Sequence, residues 1–304
     1  MGEIRAAKKK MTNDFYLISD SKDDLNDLLQ EREFSSSERI IAEVEANTNK
    51  IELIGSVLLE LQAETKQKVV EWATQLLINT TFEQIGGKWK KPKYQSERIK
   101  GNHYLDLDLD RTIENLVDNP FDKTNAIQVL NREHKGHSVL LIIDSSYSMS
   151  GRKLVMAAAA AATIAHLFDS TDIAIIHFGT KGSILKHFDS EESIQSIVER
   201  IFNLIPKGLT NIYQGLKVGI EELGQRKQSS YTAILLSDCD VNTGKIPSVI
   251  AWRLQGLKII TFPPVNDFIA DILKNETKGE LFHSPNVLDI PKILRQIFVE
   301  KFSQ

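Results

Sequence analysis

The sequence predicts an α/β fold: a doubly wound, mainly parallel six-stranded sheet preceded by a helical N-terminal region. Three observations carry this reading. After Gly136, short runs rich in β-branched residues alternate with amphipathic segments of helical period. The runs are apolar almost throughout, as strands covered on both faces must be. Before about residue 80 the texture is instead charged and helical.

The helical region reads DDLNDLLQERE, SERIIAEVEA and KIELIGSVLLELQAETKQKVVEWATQLLI. In the last segment Ile51, Leu53, Ile54, Val57, Leu58 and Leu61 recur at helical spacing and predict an apolar stripe. Ser35, Ser36 and Ser37 before Glu38 suit a helix start. The Gly- and Lys-rich stretch at 86–103 reads as a basic loop or linker, and a short helix over Arg111 to Val117, capped by Asp110, follows it. We divide the chain into a helical region, 1–125, and an α/β domain, 126–304.

Six runs make the sheet: SVLLII (138–143), DIAIIHF (172–178), SILKHF (183–188), YTAILLS (231–237), LKIITF (257–262) and ELFHS (280–284). Helices are expected through the alanine run and near 191–203, 211–224, 246–254, 265–274 and 289–302. Strands separated by helices pair in parallel with helices on both faces. SILKHF follows its predecessor too closely for a crossover helix, which predicts an antiparallel edge strand. Ala157 to Ala162 suit a helix lying close to the sheet.

Composition narrows the function classes. The chain has 304 residues, net charge −4, 41% hydrophobic and 26% charged residues, which is ordinary globular usage. Such a balance supplies no global attraction to nucleic acid or an anionic membrane. The single cysteine, Cys239, forms no internal disulfide, and no apolar run reaches the ~20 residues that span a bilayer. The expectation is a cytoplasmic protein that binds no membrane.

Oxygen-bearing residues gather where an open α/β sheet binds ligands, outside the carboxyl ends of its strands. Asp144, Ser146 and Ser148 directly follow SVLLII, Thr210 precedes a helix, and Asp238 directly follows YTAILLS. Mg²⁺ or Mn²⁺ takes such hard oxygen ligands. Ser146, Ser148 and Thr210 offer neutral hydroxyls, and Asp144 and Asp238 offer charge directly or through water. An ion held mostly by hydroxyls remains under-neutralised and attracts a carboxylate from outside.

These segments resemble the metal-ion-dependent adhesion site (MIDAS) of von Willebrand factor A (VWA) domains: D-x-S-x-S, a distant Thr, then a distant Asp. The pattern falls on Asp144, Ser146 and Ser148, on Thr210, and on Asp238. The resemblance covers about 126–304 and implies the family's six-stranded, Rossmann-like sheet. Two positions depart from the family: Tyr147 stands where Gly is common between the serines, and Cys239 where Gly is common after the last Asp. Neither removes a ligand, but glycine's backbone freedom makes the loop shape the feature to inspect. The layout is similar to the intracellular prokaryotic branch of the family, the CoxE-like type. That resemblance implies a metal-dependent adaptor working beside a MoxR-type AAA+ ATPase, in remodelling or cofactor insertion, and capturing an Asp or Glu of a protein partner. A metal-dependent hydrolase and a scaffold that does not use the metal are the alternatives.

Other features carry less. Asp106, Asp108 and Asp110 begin like an EF-hand loop, but Arg111 and Val117 stand where Gly and Glu are required. Lys88, Trp89, Lys90, Lys91, Lys93, Tyr94, Arg98 and Lys100 mix bases with aromatics, and a solvated loop explains them without nucleic acid. His166 and His177 read as packed residues. No H-E-x-x-H, Walker P-loop or strand-following G-x-G-x-x-G occurs, so the chain is read as a binding protein and not an enzyme, with no catalytic or organic-cofactor residues assigned.

Overall fold

The structure, a computed structural model, describes residues 41, 54–55, 58, 61, 63–85, 94–98, 106–107, 109–118, 127–132, 137–226 and 230–302. In chain order these give α1 (Ala63–Ile85), β1 (Tyr94–Arg98), β2 (Asp106–Leu107), α2 (Leu109–Asp118), β3 (Gln128–Arg132), β4 (Ser138–Asp144) and α3 (Arg152–Leu167). There follow β5 (Ile173–Phe178), β6 (Gly182–Lys186), α4 (Ile194–Phe202), α5 (Ile212–Gly224), β7 (Tyr231–Ser237), α6 (Ser248–Ala251), β8 (Lys258–Thr261), α7 (Asp267–Thr277), β9 (Glu280–His283) and α8 (Asp289–Phe302).

The main sheet has six strands in the order β6-β5-β4-β7-β8-β9. Every pair is parallel except β5 with β6, so the edge strand expected from SILKHF is antiparallel as read. β4 is central, and all seven of its residues are buried, which is why its sequence is apolar without alternation. Val139, Leu141 and Ile143 face one core layer with α1, α3, α4 and α8; Leu140 and Ile142 face the other with α5, α6 and α7. From β4 the chain moves outward to β5 on one side and later returns to β7 on the other. That reversal opens a crevice between the carboxyl ends of β4 and β7, the position where such sheets bind ligands.

α3 is buried almost all round, Ala157 to Ala162 included. It lies between the sheet and a further helical layer, with α1, α4 and α8 against it, so an apolar stripe on one side would not serve. α1 contributes Val69, Val70, Ala73 and Leu77 to the same core as the sheet, and the His166 ring of α3 stacks 3.9 Å from the Phe82 ring. Of the upstream stripe, Ile54 and Leu58 are buried and Leu61 packs against this core. DDLNDLLQERE and, Ile41 apart, SERIIAEVEA lie outside the described residues.

Three expectations need correction. Within the stretch read as a loop, Tyr94–Arg98 is a strand, pairing antiparallel with Gln128–Arg132 in a three-stranded sheet that β2 completes. Its YQSER sequence is polar throughout, so it gives no hydrophobic period to read. Residues 86–93 and 99–105 lie outside the described residues. α2 begins at Leu109, so Asp110 sits inside its first turn rather than capping it, where an acid still suits the helix dipole. The helix expected near 246–254 shortens to Ser248–Ala251 after Pro247, and the chain then turns through Gly256 at φ 75°. Asp106–Leu107 is a short strand before a helix, not a calcium loop. No helix among the described residues is long and apolar enough to cross a membrane.

Candidate metal centre

β4 delivers Asp144 to the mouth of the crevice with 1% of its surface exposed. One carboxylate oxygen accepts the Ser146 backbone N–H at 2.9 Å; the other accepts the Ser237 hydroxyl at 2.6 Å. Ser237 Oγ in turn accepts the Cys239 N–H at 2.9 Å, so the ends of β4 and β7 share one hydrogen-bond chain. Burial pushes the Asp144 carboxyl up to about 6, against the lowering effect of these hydrogen bonds and with a further push from the Asp238 charge.

The Ser146 and Ser148 hydroxyl oxygens lie 3.1 Å apart. Adjacent oxygens around a six-coordinate ion with bonds of about 2.1 Å are separated by about 3 Å. The third hydroxyl stands in the loop between α4 and α5. That loop is tied to the first by Lys207 N–H to Ser145 O, 3.1 Å, and Tyr147 N–H to Gly208 O, 3.2 Å. Asn242, in the loop after β7, holds Thr210 by both backbone groups: its Oδ1 accepts the Thr210 N–H at 2.8 Å and its N–H donates to Thr210 O at 3.3 Å. Thr210 Oγ1 is buried and has no hydrogen-bond partner among the described residues. A buried hydroxyl without a partner costs about 1–3 kcal/mol, and a cation ligand role would remove that cost.

Asp238, 2% exposed, directly follows β7. Its Oδ1 accepts the Asp240 N–H at 3.3 Å, and its Oδ2 accepts the Lys153 ammonium at 2.6 Å. Cys239 follows with φ at 59°, so the chain keeps here the left-handed turn that glycine adopts most easily, at a cost of roughly 1–2 kcal/mol. Burial pushes the Cys239 thiol up to about 12, which leaves negligible thiolate to act as a nucleophile. Tyr147 points into solvent, 75% exposed.

The crevice thus gathers all five residues singled out from the sequence at three loops that are hydrogen-bonded to one another. Among the described residues no three His, Cys, Asp or Glu side chains form a metal-ligand cluster; a cation here would rest on hydroxyls and two carboxylates, the set that suits a hard divalent ion. Sequence reasoning missed Lys153, Ser237 and Asn242. Lys153 shares the first turn of α3 with Arg152, so its position in the sequence did not single it out. Tyr147, between the two serines, and Leu209, beside Thr210, are exposed large apolar side chains.

The fold is the von Willebrand factor A-like α/β fold, with its acidic and hydroxyl residues at the switch point. Residues 139–240 match the family model of the von Willebrand factor type A domain. Among solved structures the chain is similar to an aerotolerance-related membrane protein from Bacteroides fragilis, at 14% identity over 53% of this chain and 98% of that one, TM-score 0.43. It is similar to BatB, a conserved hypothetical protein from Bacteroides thetaiotaomicron, at 13% identity over 56% and 100%, TM-score 0.45. A third is proximal thread matrix protein 1 from the mussel byssus, with a zinc-occupied MIDAS motif, at 15% identity over 53% and 47%, TM-score 0.45. None of the curated proteins matches the chain in sequence.

Proposed function

We propose that this chain is a divalent-cation-dependent protein-binding module. Ser146, Ser148 and Thr210 hold Mg²⁺ or Mn²⁺ through hydroxyls, and Asp144 and Asp238 add charge directly or through water. The ion's open position takes an Asp or Glu from a protein partner. The observation that carries this reading is the Thr210 hydroxyl, buried without a partner among the described residues, in a loop tied to the Ser146–Ser148 pair. Tyr147 and Leu209, exposed apolar side chains beside Ser146, Ser148 and Thr210, support a protein as the partner, because apolar side chains exposed beside a polar centre are the pattern of a contact surface. Resemblance to the intracellular prokaryotic branch of the family suggests a MoxR-type AAA+ ATPase as that partner, in the cytoplasm.

Calorimetric titration of the purified chain with Mg²⁺ and Mn²⁺ tests the reading. One ion per chain is expected, with binding greatly weakened in Ser146→Ala and Asp238→Ala. Equal binding by the wild type and both variants would put the ion elsewhere.

A further inference from the structure

We infer that Lys153 sets the charge of this site, holding one oxygen of Asp238 so that a bound dication keeps a net positive charge toward its partner. Asp238 and Lys153 form a buried pair, 2% and 9% exposed, with Nζ 2.6 Å from Oδ2. Asp144, the other carboxylate of the crevice, is 1% exposed. Two buried carboxylates alone would match the charge of one dication, leaving it little attraction for a third. With the ammonium present, the same groups leave one positive charge unmatched in a partly dehydrated crevice, where charge interactions are stronger than in water. The ammonium also competes with the ion for Asp238, which weakens binding of the metal by itself. Affinity for the bare cation is thereby exchanged for attraction toward an anionic side chain. Lys153 stands in the first turn of α3, where the helix dipole opposes its charge and no acidic residue of that turn offsets it, so Asp238 is what holds the ammonium there.

The inference rests on the metal reading above, and the experiment separates the two. Mn²⁺ alone is titrated into the full-length chain and into Lys153→Met, which keeps the apolar stem and loses the charge, with a thermal melt of each. Lys153→Met should bind Mn²⁺ about tenfold tighter or more, the scale on which removing one nearby like charge acts. Lys153→Arg, which keeps the charge, should stay near wild type. A purely structural ion pair cannot raise the affinity when it is lost. Binding by Lys153→Met equal to or weaker than wild type overturns the inference and leaves the metal reading standing. Binding by the variant where the wild type shows none overturns both, because Lys153 then excludes the ion instead of tuning its charge. Absence of binding in both overturns both. Should Lys153→Met not fold, Lys153→Gln, an uncharged donor to Asp238, gives the same comparison.

Discussion

Gly55 meets Gly151 backbone to backbone: a Cβ on Gly55 would overlap the Gly151 carbonyl group. Gly151 caps α3 at φ 68° and lies three residues beyond Ser148, so the segment upstream of α1 bears directly on the loop that carries the serine hydroxyls. Neither backbone yields as a side chain would. Gly55→Ala should therefore cost about 1–3 kcal/mol and lower the melting temperature by several degrees. It should also weaken Mn²⁺ binding, since relief of the overlap moves Gly151. A melt and a titration that both match wild type would show that the contact is slack.

The strands were legible because burial on both faces writes itself into the sequence: Ser138–Asp144 and Tyr231–Ser237 are apolar where they must be. The candidate metal-site residues were legible as a pattern, D-x-S-x-S at one strand end, a distant Thr before a helix and a distant Asp at another strand end. What was not legible depends on contacts between distant parts of the chain. Tyr94–Arg98 carries no period of its own and becomes a strand only through β3. Lys153 reads as an ordinary helix base until Asp238, 85 residues away, comes within 2.6 Å. Gly55 gives no sign that Gly151 is its neighbour.

α5 approaches the sheet through two glycines one turn apart, with different margins. A Cβ on Gly215 would overlap the buried Phe178 ring, whereas one on Gly219 would meet Leu140 Cδ2 at 3.0 Å and Ile142 Cδ1 at 3.1 Å, the tips of flexible side chains. Gly215→Ala should lose about 1–3 kcal/mol to overpacking. Gly219→Ala should come out near neutral, because a helical propensity gain of up to ~1 kcal/mol offsets the crowding. Paired thermal melts check this; equal losses would mean that the Phe178 ring moves freely.

Asp144 gives a pH dependence with a definite sign. Its folded-state carboxyl, at about 6, stands above the ordinary 3.8, so between those values the folded chain binds more protons than the unfolded one. Stability of the metal-free chain is thus helped below 3.8 and that help is lost as pH rises through about 6, on the order of 3 kcal/mol in all. A cation competes with the same proton, so Mn²⁺ affinity should rise over this window and level off above it. Melts of metal-free wild type and Asp144→Asn from pH 4 to 7, with Mn²⁺ titrations alongside, check both halves. A loss of equal size in the variant would assign it to another group.

Thr210→Ala separates the fold from the site most cleanly. Thr210 Oγ1 is a buried acceptor and donor with no partner among the described residues, so deleting it from the metal-free chain removes an uncompensated desolvation cost and leaves only a small space. The backbone of Thr210 is held by Asn242, and alanine keeps both of those hydrogen bonds. The melting temperature of metal-free Thr210→Ala should therefore equal or exceed that of wild type, by up to a few degrees for about 1 kcal/mol. Added Mn²⁺ should stabilise wild type, since a ligand that binds only the folded state raises its stability in proportion to the logarithm of its concentration over Kd. The variant, missing one of three hydroxyl ligands, should lose most of that shift. The two effects have opposite signs, so a generally damaged protein cannot imitate them. A variant that melts lower than wild type without metal would show that the hydroxyl serves the fold, and one with the full Mn²⁺ shift would remove Thr210 from the site.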